Sequence, residues 1–167
     1  MQESFDALKR ALASAPMISP PNYSHDFLLY MAASMEEIGM VLVQEDEELQ
    51  EHVIYYLSWN LIDIEIRYSH VEKLALATVH AVQHLRHYIL LLQTLVVAHV
   101  NLFQFVLTQR MIGGKYNKWI VILQEFDLEF VSAKSKKSLI FAELISDFPS
   151  EARSWFLKIR LLMNTSS

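Results

Sequence analysis

The chain has 167 residues, a length that a single domain accounts for. At 53% apolar with three glycines it is neither a disordered nor a turn-rich all-β sequence, and a net charge of −5 is not the balance of a dedicated nucleic-acid binder. There is no cysteine, which excludes disulfides, thiolate nucleophiles and cysteine-based zinc sites.

Phe5, Leu8 and Leu12 make a helical stripe that Pro16, Pro20 and Pro21 end, so residues 1–22 read as a helical, proline-rich lead-in. No secretory signal is visible, and the acids Glu3 and Asp6 disfavour a transit peptide. An intracellular setting, cytoplasmic or nuclear, is the expectation, with a mitochondrial one left open. Three segments of strand length and composition follow: "DFLLYMAAS" (26–34), "IGMVLVQE" (38–45) and "EHVIYYLS" (51–58). The acidic run Glu45 to Glu48 reads as the hairpin tip between the last two.

"RYSHVEKLALATVHAVQHLRHYILL" is a long helix. Ser69 and Glu72 have capping-box spacing, and Val71, Leu74, Ala75, Thr78, Val82, Leu85 and Ile89 recur at helical intervals. Then come a buried strand in "QTLVVAHV" (93–100), a short helix in "NLFQFVLTQ", a break at Ile112–Gly114, a helix in "KYNKWIVILQEF" and an edge-like strand in "DLEFVSAKS". "LIFAELISDF" is a helix ended by Pro149, and residues 150–163 form a last one. The stretch Ile89 to Gln109 carries no formal charge and has the length of a membrane span, but Gln93, His99, Asn101 and Gln104 interrupt it. A buried strand followed by a helix is the better reading, and no membrane span is expected.

Strands alternating with helices predict an α/β fold: a five-stranded mixed sheet flanked by helices. The first three strands are joined too tightly for crossovers and should be antiparallel; the later ones can be parallel.

The ordered pieces resemble the ribonuclease H domain of gypsy-class LTR retrotransposon polyproteins, with plant elements closest in flavour. "QESFDALKRALASAP" matches the connector helix and "LYMAAS…IGMVLVQ" the family's L-Y-T-D-A-S…I-G-A-V-L-x-Q. "HVIYYLS", "RYSHVEKLALATVHAVQHLRHYI", "VVAHVNL" and "KWIVILQEFDLEF" match the third strand, first helix, T-D-H-x-P-L strand end and last helix–strand pair. The resemblance fades after Pro149. It implies a ribonuclease H-like fold over residues 23–149, with residues 1–22 as connector and 150–167 as a helical extension.

Enzymes of this family cut the RNA strand of RNA–DNA hybrids with two divalent magnesium-type ions. Two cations ~4 Å apart need several anionic oxygens to hold them. The family's first Asp falls on Ala32, the Glu of its E-K-E pattern on Leu74 of "EKL", the next Asp on Ala98 of "VAH", and the last acid on Glu143 of "FAEL". Glu143 is then the sole remaining ligand. Glu72 stands two residues before Leu74, about 200° around the helix, and cannot replace it; Glu36 and Glu37 read as turn residues. The topology should bring Ala32, Leu74 and Ala98 together at one edge of the sheet, with Glu143 nearby. No catalysis and no cofactor are expected.

Other constellations are weaker. His80, His84 and His87 have spacings that place at least the first two on one helix face, as a metal pair or as surface histidines. His99 keeps the family's histidine and reads as structural. Arg110, Lys115 and Lys118, and Lys134, Lys136 and Lys137, form two basic clusters of the kind that contact phosphates in active relatives, here implying weak, salt-sensitive nucleic-acid binding at most. The last helix carries Trp155, Phe156 and Ile159 amid Arg153, Lys158 and Arg160, the composition of a partner-binding or membrane-surface helix. The leading expectation is an inactive domain acting through an unidentified protein partner. The alternative is a module that binds RNA–DNA hybrids without cutting them.

Overall fold

The computed structural model describes residues 18–132, apart from 34, 99 and 110–112. The lead-in helix, the basic cluster Lys134–Lys137, the helix bearing Glu143 and the last helix fall outside those residues, as do His99 and Arg110.

Five strands form one sheet: β1 (Phe27–Ala33), β2 (Glu37–Glu45), β3 (Glu51–Asn60), β4 (Thr94–Ala98) and β5 (Leu128–Ser132), in the order β3-β2-β1-β4-β5. β1, β2 and β3 are antiparallel neighbours, while β4 runs parallel to both β1 and β5. This is the predicted mixed sheet. β3 extends two residues past the expected Ser58, because Trp59 and Asn60 still pair with Ile38 and Glu37.

The central strands are apolar on both faces, as a strand covered on both sides must be. Phe27, Leu29 and Met31 enter the main core, and the alternate residues Leu28 and Tyr30 enter a second cluster with Val41, Val43 and Val97. Burial of each large side chain contributes about 1.5–3 kcal/mol. A register shift between Leu42 and Val43 marks a bulge in the β2–β3 hairpin. Its tip is the acidic run predicted to turn. The Asp46 carboxylate accepts the backbone N–H groups of Glu48 and Gln50, both at 2.9 Å, and Leu49 takes the positive φ of 61° that closes it.

Five helices appear among the described residues: α1 (Asp63–Ile66), α2 (His70–His84), α3 (Arg86–Ile89), α4 (Leu102–Gln109) and α5 (Gly114–Leu123). The predicted capping box starts α2. The Glu72 N–H donates to Ser69 Oγ at 3.2 Å, and the Ser69 N–H donates to the Glu72 carboxylate at 2.9 Å. Leu74, Ala75, Thr78 and Val82 are buried as their spacing requires.

The single long helix expected through Ile89 is instead two. Leu85 leaves helical geometry at φ −96°, ψ 12°. The chain turns there to keep Leu85 at 1% and Ile89 at 0% exposure, while Arg86 pairs with Glu125 beyond α5. α5 likewise stops at Leu123, three residues before the end of its predicted segment, and the following turn buries Phe126. The uncharged stretch from Ile89 to Gln109 resolves into the end of α3, then β4, then α4. Among the described residues no helix is long and apolar enough to cross a membrane.

Candidate functional site

β1 and β4 are parallel neighbours in register from Phe27 opposite Thr94 to Tyr30 opposite Val97, so their C-terminal ends emerge side by side in the middle of the sheet. That end of the sheet, at a break between strand directions, is where open α/β sheets place ligand sites. Ala32 is the penultimate residue of β1, opposite Gly39 of β2. Ala98 is the last residue of β4.

α2 packs on the face of the sheet, with its first turns toward this end. Thr78 Oγ1 donates to the Leu74 carbonyl at 2.9 Å and approaches Met31 Sδ at 3.3 Å, which ties the helix to β1. One turn earlier, Lys73 is 5% exposed and its ammonium donates to the Met35 carbonyl at 2.8 Å. Leu74 and Ala98, each 1% exposed, belong to one apolar cluster with Met31 and Leu102. Both therefore belong to the helix–sheet core, Leu74 from α2 and Ala98 from the end of β4. The strands that carry Ala32 and Ala98 are central in the sheet, and both residues lie near those strands' C-terminal ends. Glu143 lies outside the described residues.

The chemistry of this spot follows from its donors. The side chains of Leu74 and Ala98 carry no lone pair, and their surroundings are hydrocarbon and thioether. A divalent ion needs oxygen ligands to replace its water, and these side chains do not supply them.

Glu72 points elsewhere and is more than a cap partner. Its carboxylate also accepts a hydrogen bond from the Tyr116 hydroxyl and an ion-pair bond from Lys115 Nζ at 3.3 Å. Burial pushes Glu72 upward, but the bonds from Tyr116, Ser69 and Lys115 outweigh it and hold the carboxyl below its ordinary range. Tyr116 is raised in turn, first by its bond to Glu72. Lys115, predicted as a phosphate contact, is therefore already engaged. Lys118, three residues on, is exposed.

The histidines separate. His80 stacks on Trp59 of β3, with ring centroids 4.8 Å apart and planes at 21°. His84 Nε2 lies 3.3 Å from the Tyr55 hydroxyl, and His87, beyond the break at Leu85, packs on Tyr88 at 4.1 Å. Among the described residues no three His, Asp or Glu side chains converge as a metal site.

Three features were missed from sequence: the ring group around Lys115, the buried Lys73, and the exposed trio Met35, Ile62 and Ile64. Only the clustering of aromatics in "KYNKW", downstream of Tyr68, hinted at the first.

A mixed sheet of this order with α2 across its centre defines the ribonuclease H-like fold. It superimposes on a foamy viral protease–reverse transcriptase solved with double-stranded DNA at a TM-score of 0.61 and 15% identity, covering 83% of this chain and 30% of that one. A native prototype foamy virus protease–reverse transcriptase gives 0.62 at 14% identity, over 82% and 19% of the two chains. At such identities the likeness is one of fold.

Residues 1–97 match the model of the RNase H-like domain found in reverse transcriptase, and the chain belongs to that family. It is similar to the retrovirus-related Pol polyproteins of the Drosophila melanogaster transposons 297 (30% identity, 83% of this chain, 13% of that one) and opus (30%, 89%, 15%). It is also similar to the Tf2-3 transposon polyprotein of Schizosaccharomyces pombe (25%, 76%, 10%). The chain thus corresponds to 10–15% of the length of these polyproteins. It is an RNase H-like domain of the retrotransposon reverse transcriptase kind. These relatives are from fly and fission yeast and lend no support to a plant-type origin.

Proposed function

We propose that this is an RNase H-like domain of gypsy-class descent that has lost two-metal hydrolysis and acts through protein contacts. The observation that carries the loss is the burial of Leu74 and Ala98, each 1% exposed, in the main apolar core, with Ala98 the last residue of β4. The family resemblance puts carboxylates at these positions and at Ala32, and Glu143 would be the only acid of the four to remain. One carboxylate does not hold a pair of hydrated divalent ions. The domain then needs no metal.

The protein-contact half rests on the same end of the molecule. Met35, Ile62 and Ile64 are 76%, 63% and 64% exposed, and the Leu61 N–H bond to the Glu36 carbonyl, at 2.7 Å, brings their two loops together. Large apolar side chains grouped in the open are a mark of partner surfaces. The net charge of −5 also argues against a nucleic-acid role.

A second reading has its own support. One structural neighbour was solved with an RNA/DNA hybrid and another with double-stranded DNA. A module that docks a hybrid through Lys118 and the basic cluster at Lys134, Lys136 and Lys137 would keep that habit without cutting.

The deciding assay incubates the purified protein with a labelled RNA–DNA hybrid in Mg²⁺ or Mn²⁺. No cleavage is expected. Metal-dependent cleavage that disappears in Glu143→Ala would overturn the inactive reading. Hybrid binding by anisotropy at low salt, weakened by Lys118→Ala, would favour the second reading over protein contacts.

A further inference from the structure

Lys115 stands inside a three-walled box of aromatic rings. Its Nζ lies 4.0 Å from the ring centroid of Tyr68, 4.7 Å from that of Tyr116 and 5.4 Å from that of Trp119. The walls are set at angles that suit a box and not a stack. Tyr116 and Trp119 meet at 86° with centroids 5.4 Å apart, and Tyr68 meets Trp119 at 66° and 6.4 Å. Phe105 of α4 braces Tyr116 from outside at 80°. The Glu72 carboxylate closes the box 3.3 Å from Nζ. The walls are fixed independently of the lysine. Trp119 is 8% exposed in the main core, and Glu72 is held by the α2 capping box and by the Tyr116 hydroxyl.

Ring faces are negative and attract cations, most strongly when water is excluded, and several faces around one carboxylate form the aromatic cage that recognises methylated ammonium groups. A primary ammonium is a poor permanent tenant of such a box. It is strongly hydrated and has three N–H donors, for which the Glu72 carboxylate is the one charged acceptor among the described residues. A methylated ammonium spreads the same charge over carbon surface that the rings can cover. Lys115 keeps 38% of its side-chain area in solvent, so it can leave without unpacking the fold.

We propose that Tyr68, Tyr116, Trp119 and Glu72 form a binding site for a methylated ammonium group, with Lys115 as a tethered internal competitor that must swing out for the ligand to enter. The ligand's cation takes the place of Nζ, its methyl groups lie on the three rings, and Glu72 balances its charge. A tethered competitor acts at a high effective concentration, so the resting protein binds weakly and emptying the box raises affinity.

The test uses tetramethylammonium as probe, read by Trp119 fluorescence and by NMR shifts of the Tyr68 and Tyr116 rings, on the whole chain. Lys115→Ala empties the box and should bind at least about tenfold more tightly than wild type. Lys115→Met refills it with a neutral chain and should bind no better than wild type. Lys115→Ala combined with Tyr68→Ala should lose the gain. Choline and a trimethyl-lysine tripeptide then separate a small quaternary amine from a modified protein side chain as the source. Equal, weak binding by wild type and Lys115→Ala would overturn the proposal. If Lys115→Ala does not fold, wild type still decides: the Lys115 ε-methylene protons should be shifted upfield by the surrounding rings, and unshifted protons would overturn it equally.

Discussion

Replacing Leu74 with glutamate tests the burial on which the functional reading rests. Leu74 is 1% exposed and shares a cluster with Met31, Ala98 and Leu102. A carboxyl there either ionises among hydrocarbon or stays protonated, and burial of that kind raises its pKa by up to about 3–5 units. From a reference near 4.3, a folded-state value around 7.5 costs about 1.4 kcal/mol per pH unit above 4.3, or about 4 kcal/mol at pH 7. Lost burial of the leucine adds about 1.5–3 kcal/mol, and the sum compares with a whole-domain stability of about 5–15 kcal/mol. A raised folded-state pKa means that the fold favours the neutral acid. The ionisation cost is therefore absent below pH ~4.3, grows as pH rises, and is complete above the raised value. Urea melts of Leu74→Glu, Leu74→Gln and wild type from pH 4.5 to 8 measure it. The Glu variant should lose about 3–4 kcal/mol relative to the Gln variant across that window, and the Gln offset from wild type should stay flat. A pH-independent difference between Glu and Gln would mean that side chain 74 reaches water, and the buried floor would be refuted.

Restoring the family's acids in one chain, as Ala32→Asp, Leu74→Glu and Ala98→Asp, should destabilise the fold without metal, since carboxylates sharing a site repel. Mn²⁺ at about a hundred times its Kd should return about 2.7 kcal/mol by binding the folded state only. Equal metal response of melting temperature in wild type and variant would refute the juxtaposition. At the start of α2, Ser69→Ala should cost about 1 kcal/mol in a denaturant melt, the usual effect of losing an N-cap oxygen; no loss would remove the cap from the account. Glu72 is held below its ordinary value of 4.5, so its charged form contributes stability that is present above that pH and lost as pH falls through the lowered folded-state value. The advantage of wild type over Glu72→Gln should accordingly shrink on acidification, and an advantage constant between pH 7 and pH 3 would show that the charge contributes nothing.

The sheet was legible because its signals are local and agree with one another. Strand lengths, the acidic turn at Glu45–Glu48, and connections too short for crossovers dictate which strands are antiparallel before any contact is known. The capping box at Ser69 and Glu72 was legible for the same reason. The break at Leu85 was not, because its apolar spacing continues through Ile89 as if the helix did. What ends the helix is long-range: Ile89 must enter the core while Arg86 reaches Glu125, 39 residues later. α1 escaped notice because four residues are too few to show a period. The box around Lys115 escaped because it draws on Tyr68, ahead of α2, and on α5, which only the crossover brings together. A basic residue at the start of a helix, beside other basic residues, reads as a phosphate contact until its partners are known.

The three residues of "EKL" show how the chemistry of this spot can change while the fold stays. Successive residues on a helix point about 100° apart, so the three side chains leave α2 in three directions. Glu72 turns to Ser69, Tyr116 and Lys115 and joins the start of α2 to α5. Lys73 reaches across to the Met35 carbonyl and pins the β1–β2 turn. Leu74 goes straight down into the cluster that includes Met31 and Ala98. This third direction is the one in which the family resemblance expects a metal ligand. A carboxylate there is tolerable only with its cation, because a buried charge without a partner costs several kcal/mol. A leucine there needs nothing but the apolar neighbours that Ala98 and Met31 provide. Once one acid of such a cage has gone, the others no longer hold a metal and only repel each other. On the proposed loss of the cage, each further change to an apolar residue would stabilise the fold, and the contacts of Glu72 and Lys73 involve none of the four positions.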